Sequence, residues 1–109
     1  MINSDKVIAF NRIVCNSVSQ ESISIHENNL LSAISVQQWF DKEDVRCSAL
    51  FRSLIQGHPF EDGNKRTAVL ILMSIKPPNC SDNSLCEITL RIAKGELKDP
   101  EEISKLLYF

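Results

Sequence analysis

The sequence predicts an all-α fold, and three observations carry that expectation. Apolar residues recur at three- and four-residue steps through most of the 109 residues. Helix start and stop signals punctuate the chain, most clearly at Asp99-Pro100-Glu101-Glu102 and Pro77-Pro78. No long alternating run of β-branched residues announces a strand. A chain of this length, 43% hydrophobic and 24% charged, suits one domain with one core, so residues 1–109 are expected to form a single unit.

The first helix is expected over 5–18, on Val7, Ile8, Phe10, Ile13, Val14 and Val18, with Ser4 as N-cap. Residues 19–25 read as a loop or a short extended piece, and His26-Glu27-Asn28-Asn29 as a turn. A short apolar run follows, ending at Trp39-Phe40, in which Ile34-Ser35-Val36 can extend into a small hairpin. Asp41 can cap a helix over 42–56, with Glu43 and Asp44 near its positive dipole end. Its inner face would be Val45, Cys47, Ala49, Leu50 and Leu54, and Gly57 fits the position that ends it. The helix over 64–76 is apolar nearly all round, which predicts the centre of a bundle. The polar loop 79–83 leads to a helix over 84–93 with Leu85, Ile88, Ile92 and Ala93 inward and Gly95 as terminator. A last helix opens after Asp99 and carries Ile103, Leu106 and Leu107.

Charge and composition narrow the function. A net charge of -2, with Lys65-Arg66 as the one adjacent basic pair, argues against nucleic-acid or membrane-surface binding. The longest apolar run, 68–75, is too short to span a bilayer, and no signal peptide is expected in 1–10. Cys15, Cys47, Cys80 and Cys86 lack metal-ligand or CxxC spacing, so reduced thiols and a cytoplasmic location are expected, and nothing in the sequence supports the alternative of a Cys80–Cys86 bridge.

Between the two central helices lies His58-Pro59-Phe60-Glu61-Asp62-Gly63-Asn64-Lys65-Arg66. Gly63 lets a ligand approach the backbone closely. The N–H groups of Gly63, Asn64 and Lys65 would stand free at a helix start, beside its positive dipole end, where an anion binds. Lys65, Arg66 and the Asn64 amide add donors suited to a phosphate chain. Asp62 offers a hard oxygen to Mg²⁺, and His58 is the side chain there that takes a proton near neutral pH. The plainer reading pairs Asp62 with Arg66 as a helix-start salt bridge, makes Phe60 a core plug and leaves Glu61 solvated. The residues themselves support a phosphate-binding turn without choosing a reaction.

These nine residues resemble the Fic/Doc signature H-P-F-x-[DE]-G-N-[GK]-R, matched without a gap. The segment Glu27-Asn28-Asn29-Leu30-Leu31-Ser32-Ala33 is similar to the flap of Doc-like members. The resemblance implies a Fic/Doc-type helical bundle with a short flap, about 29–40, that pins a target segment by main-chain pairing. It implies His58 as the base, Asp62 on Mg²⁺, Gly63, Asn64 and Lys65 lining the anion site, and Arg66 on a phosphate of ATP. It also implies a protein substrate, a translation factor among the candidates, and an antitoxin chain as partner.

Two departures choose a branch. Lys65 stands where AMP-transferring members commonly have glycine, and Val69 where they often carry a second arginine. Both resemble the Doc branch, whose members move the γ-phosphate of ATP to a protein hydroxyl. The alternatives are Fic-type AMP transfer, and an inactive module that binds nucleotide or antitoxin. The inhibitory pattern [ST]-x-x-x-E-[GN] is out of register: Glu27-Asn28 supplies its end, but Ile23 stands at its start.

Overall fold

The computed structural model describes residues 1–16 and 25–109. The described residues form six helices in order: α1 (Ser4–Asn16), α2 (Glu27–Ser35), α3 (Glu43–Gly57), α4 (Asn64–Ile75), α5 (Asp82–Ala93) and α6 (Pro100–Tyr108), with a 3₁₀ turn at Val36–Trp39. The all-α expectation holds: among the described residues there is no strand, and one isolated antiparallel bridge joins Ile25 to Phe60.

The centre of the bundle is α3, not α4. Cys47, Ala49, Leu50, Phe51, Leu54 and Ile55 are all buried, and α3 packs against α2, the 3₁₀ turn, α4, α5 and α6. Its two buried serines fit this role, since they keep a central helix slim; Ser48 satisfies its hydroxyl on the Asp44 carbonyl at 2.7 Å. On α4, Thr67, Ala68, Ile71 and Leu72 face inward, whereas Met73 is 46% and Ile75 41% exposed. Periodicity cannot rank a helix that is apolar all round; which side is covered depends on how many neighbours the bundle supplies. At its far end α4 is tied to the start of α3. The Lys76 ammonium meets the Asp44 carboxylate and lies 3.1 Å from that of Glu43. These two carboxylates, Asp44 first, raise the lysine's pKa.

The expected flap and hairpin are not present in 27–39. That segment is helical, because Leu30 and Ala33, one turn apart, bury themselves against α3. Buried Gln37 locks the 3₁₀ turn by accepting from the Ile2 N–H at 3.0 Å and donating to the Ile2 carbonyl at 3.0 Å. Helical hydrogen bonds occupy the main chain that was expected to pair with a target. The extended piece expected in 19–25, and the inhibitory pattern sought at Ser22–Ser24, lie almost wholly outside the described residues.

Several boundaries shift by a residue for physical reasons. Asn3, not Ser4, caps α1: its side chain accepts from the Lys6 N–H at 3.0 Å. Lys42 occupies the N-cap position of α3 without a side-chain cap, and Asp41 lies outside the helix. Ile13 at 60% and Leu106 at 38% exposure point outward, and Ala93 is exposed as well. Toward the C-terminus, α5 starts at Asp82, two residues before the expected helix over 84–93, because Ser81 in the expected loop caps it. Asp99 caps α6 as expected, accepting from the Glu101 N–H at 3.1 Å, with Pro100 at the first turn. Gly95, at φ 79°, ends α5 with the Gly95 N–H on the Ile92 carbonyl and the Glu96 N–H on that of Arg91. The four cysteines are free thiols, Cys15 and Cys47 buried and Cys86 exposed.

Candidate active site

The loop between α3 and α4 begins with a surprise at His58. Gly57 remains inside α3, and the left-handed position that ends the helix is occupied by His58, at φ 46° and ψ 57°. Pro59 explains the exit, since a residue preceding proline is kept out of the right-handed helical region. Left-handed backbone is costly for a residue with a Cβ, so the surrounding structure must hold it. It does so on both sides of the loop. The Pro59 carbonyl accepts from the His26 N–H at 2.8 Å, Ile25 bridges Phe60, and Phe60 is a plug only 2% exposed. The histidine side chain is left at the surface.

Asn64 closes the loop from the inside. Its Oδ1 accepts from the Phe60 N–H at 3.0 Å and its Nδ2 donates to the Phe60 carbonyl at 2.8 Å. The side-chain amide expected to serve an anion is thus spent on loop geometry; what Asn64 offers outward is its main-chain N–H. Gly63 is the N-cap of α4, at φ 77°. Its N–H donates to Asp62 Oδ1 at 2.8 Å, and its carbonyl accepts from the Thr67 N–H at 2.8 Å. The N–H groups of Asn64, Lys65 and Arg66 therefore open the helix without intrahelical acceptors.

Asp62 and Arg66 stand as the i,i+4 pair the spacing suggested, Oδ2 to guanidinium 3.8 Å apart, each side chain 48% exposed. At that exposure the pair is worth about 0–1 kcal/mol, so a phosphate or a metal can displace it at little cost. All the residues expected at the site, His58, Asp62, Gly63, Asn64, Lys65 and Arg66, line one cleft of about 430 Å³, together with Ile55, Glu61 and Ala93. An imidazole, two carboxylates, two cations and a helix start thus converge on one cleft.

Asp62 fits a metal that arrives with its ligand. Among the described residues no group of three or more His, Cys, Asp or Glu is placed to hold a metal ion. Magnesium is commonly bound by one or two carboxylates plus the substrate's phosphates, and Asp62, with Glu61 beside it in a cleft that also carries Lys65 and Arg66, matches that pattern.

The sequence reading missed the residues beneath the loop. Asn11 on α1 is fully buried; its Nδ2 donates to the Asp62 carbonyl and to Thr67 Oγ1, each at 3.1 Å. Cys15 sits beside them, its thiol 3.7 Å from Asn11 Oδ1 and 3.8 Å from the Asp62 carbonyl. The available signal was an asparagine on the apolar stripe of Val7 and Val14, one turn from each.

Comparison with family models finds a match to the Fic/DOC family over residues 2–75, well over half of the chain. The chain belongs to the Fic/DOC family. The matched span runs from α1 through α4 and contains the whole loop; α5 and α6 lie beyond it. No curated protein and no solved structure matches. Members of the Fic/DOC family are typically enzymes that transfer nucleotide or phosphate groups to proteins, and the family match does not divide the Fic branch from the Doc branch. No helix among the described residues is long and apolar enough to cross a membrane.

Proposed function

We propose that this chain is a Doc-like toxin that transfers the γ-phosphate of ATP to a Ser or Thr hydroxyl of a protein, in the cytoplasm and under the control of an antitoxin chain. The observation that carries this reading is the convergence of His58, Asp62, Lys65, Arg66 and the start of α4 on one cleft. His58 takes the proton of the target hydroxyl. The hydroxyl oxygen attacks the γ-phosphorus, the bond from that phosphorus to the bridging oxygen breaks, and ADP leaves. The main-chain N–H groups of Asn64 and Lys65 and the guanidinium of Arg66 hold the phosphates in line. Asp62 would hold Mg²⁺, which when bound neutralises phosphate charge. Val69 favours phosphate transfer over AMP transfer, because it provides no second cation one turn beyond Arg66 to orient the terminal phosphates the other way.

The test uses purified protein, cell lysate and ATP labelled at either the α or the γ position, with His58→Ala beside it. A protein band labelled from γ, and only with His58 present, is expected. Label from α would establish AMP transfer instead. Absence of any His58-dependent label would remove both enzyme readings and leave a binding module.

A second expectation concerns Arg66. Charge-assisted hydrogen bonds contribute about 1.5–3 kcal/mol, so Arg66→Ala is expected to weaken Mg-ATP binding by about 10- to 150-fold in calorimetry. Its own pairing with Asp62 is exposed, so the thermal midpoint should barely move. An unchanged affinity would remove Arg66 from the site.

A further inference from the structure

We propose that Asn11 is a positioning residue that locks the Asp62–Gly63 peptide so that an N–H, not a carbonyl, faces the phosphate cleft. This inference rests on the nucleotide-binding reading of that cleft. The argument begins with peptide geometry. In a planar trans peptide the C=O and N–H point in opposite directions. The Asp62 carbonyl is turned into the protein, where Asn11 Nδ2 donates to it at 3.1 Å. The Gly63 N–H must then face the other way, and it donates to Asp62 Oδ1 at 2.8 Å; both residues line the cleft.

The lock is needed because of Gly63. Glycine adopts positive and negative φ with similar ease, so a peptide beside it can flip at small conformational cost. A flipped peptide would put a carbonyl oxygen, a partial negative charge, where an anion is expected. It would also take away the N–H that holds the Asp62 carboxylate at 2.8 Å. Asn11 opposes the flip strongly because it is fully buried: losing the Asp62 carbonyl as acceptor would strand a buried donor.

The orientation of the Asn11 amide is set by its partners. The Asp62 carbonyl can only accept, so Nδ2 must face it, and Oδ1 then accepts from the Cys15 thiol at 3.7 Å. The second Nδ2 proton goes to Thr67 Oγ1 at 3.1 Å, in the first turns of α4. One side chain on α1 thereby fixes both the peptide before the helix and the helix itself. Other buried polar residues have local or distant structural work, as Gln37 does on Ile2. Asn11 reaches 51 residues along the chain into the motif.

Two variants separate positioning from mere support. Asn11→Leu keeps approximate size and removes the donor. Thr67→Val removes the other partner and leaves the Asp62 bond in place. Both should lower the thermal midpoint. Asn11→Leu, measured well below that midpoint with helicity confirmed by circular dichroism, is expected to weaken Mg-ATP binding about 10- to 100-fold, as loss of an orienting partner does at metal and anion sites. Thr67→Val should bind Mg-ATP as the unmodified protein does. Without nucleotide, amide hydrogen exchange at Gly63, whose N–H is bonded to Asp62 Oδ1, should accelerate in Asn11→Leu and not in Thr67→Val. Should Asn11→Leu not fold, Asn11→Ser, whose hydroxyl is too short to span to Asp62, is judged by the same readouts. A folded Asn11 variant with unaltered exchange and unaltered affinity overturns the proposal. If the unmodified protein binds no Mg-ATP, the nucleotide reading fails on its own, and the exchange arm still decides whether Asn11 holds the peptide.

Discussion

Replacing His58 with glycine is expected to abolish phosphate transfer while making the protein more stable. The two effects have separate causes. General-base catalysis contributes about 10²–10⁴ in rate, and the group that would supply it here is the His58 imidazole. The backbone of the same residue sits at φ 46°, ψ 57°, where an L-residue pays about 1–2 kcal/mol that glycine does not. The unfolded chain gains some entropy from a glycine, so a net stabilisation of about 1 kcal/mol is expected. His58→Ala provides the control. It removes the imidazole but keeps the Cβ, so activity should fall equally while stability stays near that of the unmodified protein. Denaturant midpoints and γ-label transfer, measured on both variants, check the pair of effects. If the glycine variant were no more stable than the alanine variant, the strain at His58 would not be real. If either retained transfer, the histidine would not be the base.

Gly63→Ala is expected to be among the most damaging small substitutions in the protein. Two penalties add at this position. The backbone is at φ 77°, which costs a side-chain-bearing residue about 1–2 kcal/mol. A Cβ would also lie 3.3 Å from each of Asn11 Nδ2, Cys15 Sγ and Val14 Cγ1, tighter than most such contacts, so all three neighbours would have to give way slightly. These neighbours are buried on α1 and held in a hydrogen-bonded set, so relieving the crowding would cost about 1–3 kcal/mol more. A total loss of about 2–5 kcal/mol would consume much of the 5–15 kcal/mol that stabilises a typical domain. Gly95→Ala is the internal comparison. Its φ of 79° is nearly the same, but nothing lies within 4 Å of the added carbon. It should therefore show the backbone penalty alone, about 1–2 kcal/mol. Equal losses at the two glycines would show that the contact with α1 carries no weight.

How much of this was legible in the sequence depends on whether the cause was local. Asp99-Pro100 and Gly95 act within one turn of themselves, and the structure follows them to the residue. The nine-residue motif was likewise readable, because its members are neighbours in the chain, and all but the buried Pro59 and Phe60 line one cleft. Central position was not readable. Both α3 and α4 carry apolar residues, and only packing shows that α3 touches nearly every other element while Met73 and Ile75 remain exposed. The flap was misread because Leu30, Ala33 and Gln37 are recruited by α3 and Ile2, partners remote in sequence. Asn11 was passed over for the same reason: its partners, Asp62 and Thr67, lie more than 50 residues away. Even within the motif, Asn64 has one atomic role the sequence suggested, a main-chain donor, and one it hid, the clamp on Phe60.

The coproduct of turnover tests the central claim most directly. Transfer of the γ-phosphate releases ADP, whereas transfer of AMP releases pyrophosphate, and phosphorus NMR of the reaction distinguishes them without knowledge of the target. In lysate depleted of endogenous nucleotide and supplied with ATP, we expect protein-dependent ADP that is absent with His58→Ala. Pyrophosphate appearing in place of ADP, with the same dependence on His58, would contradict the account.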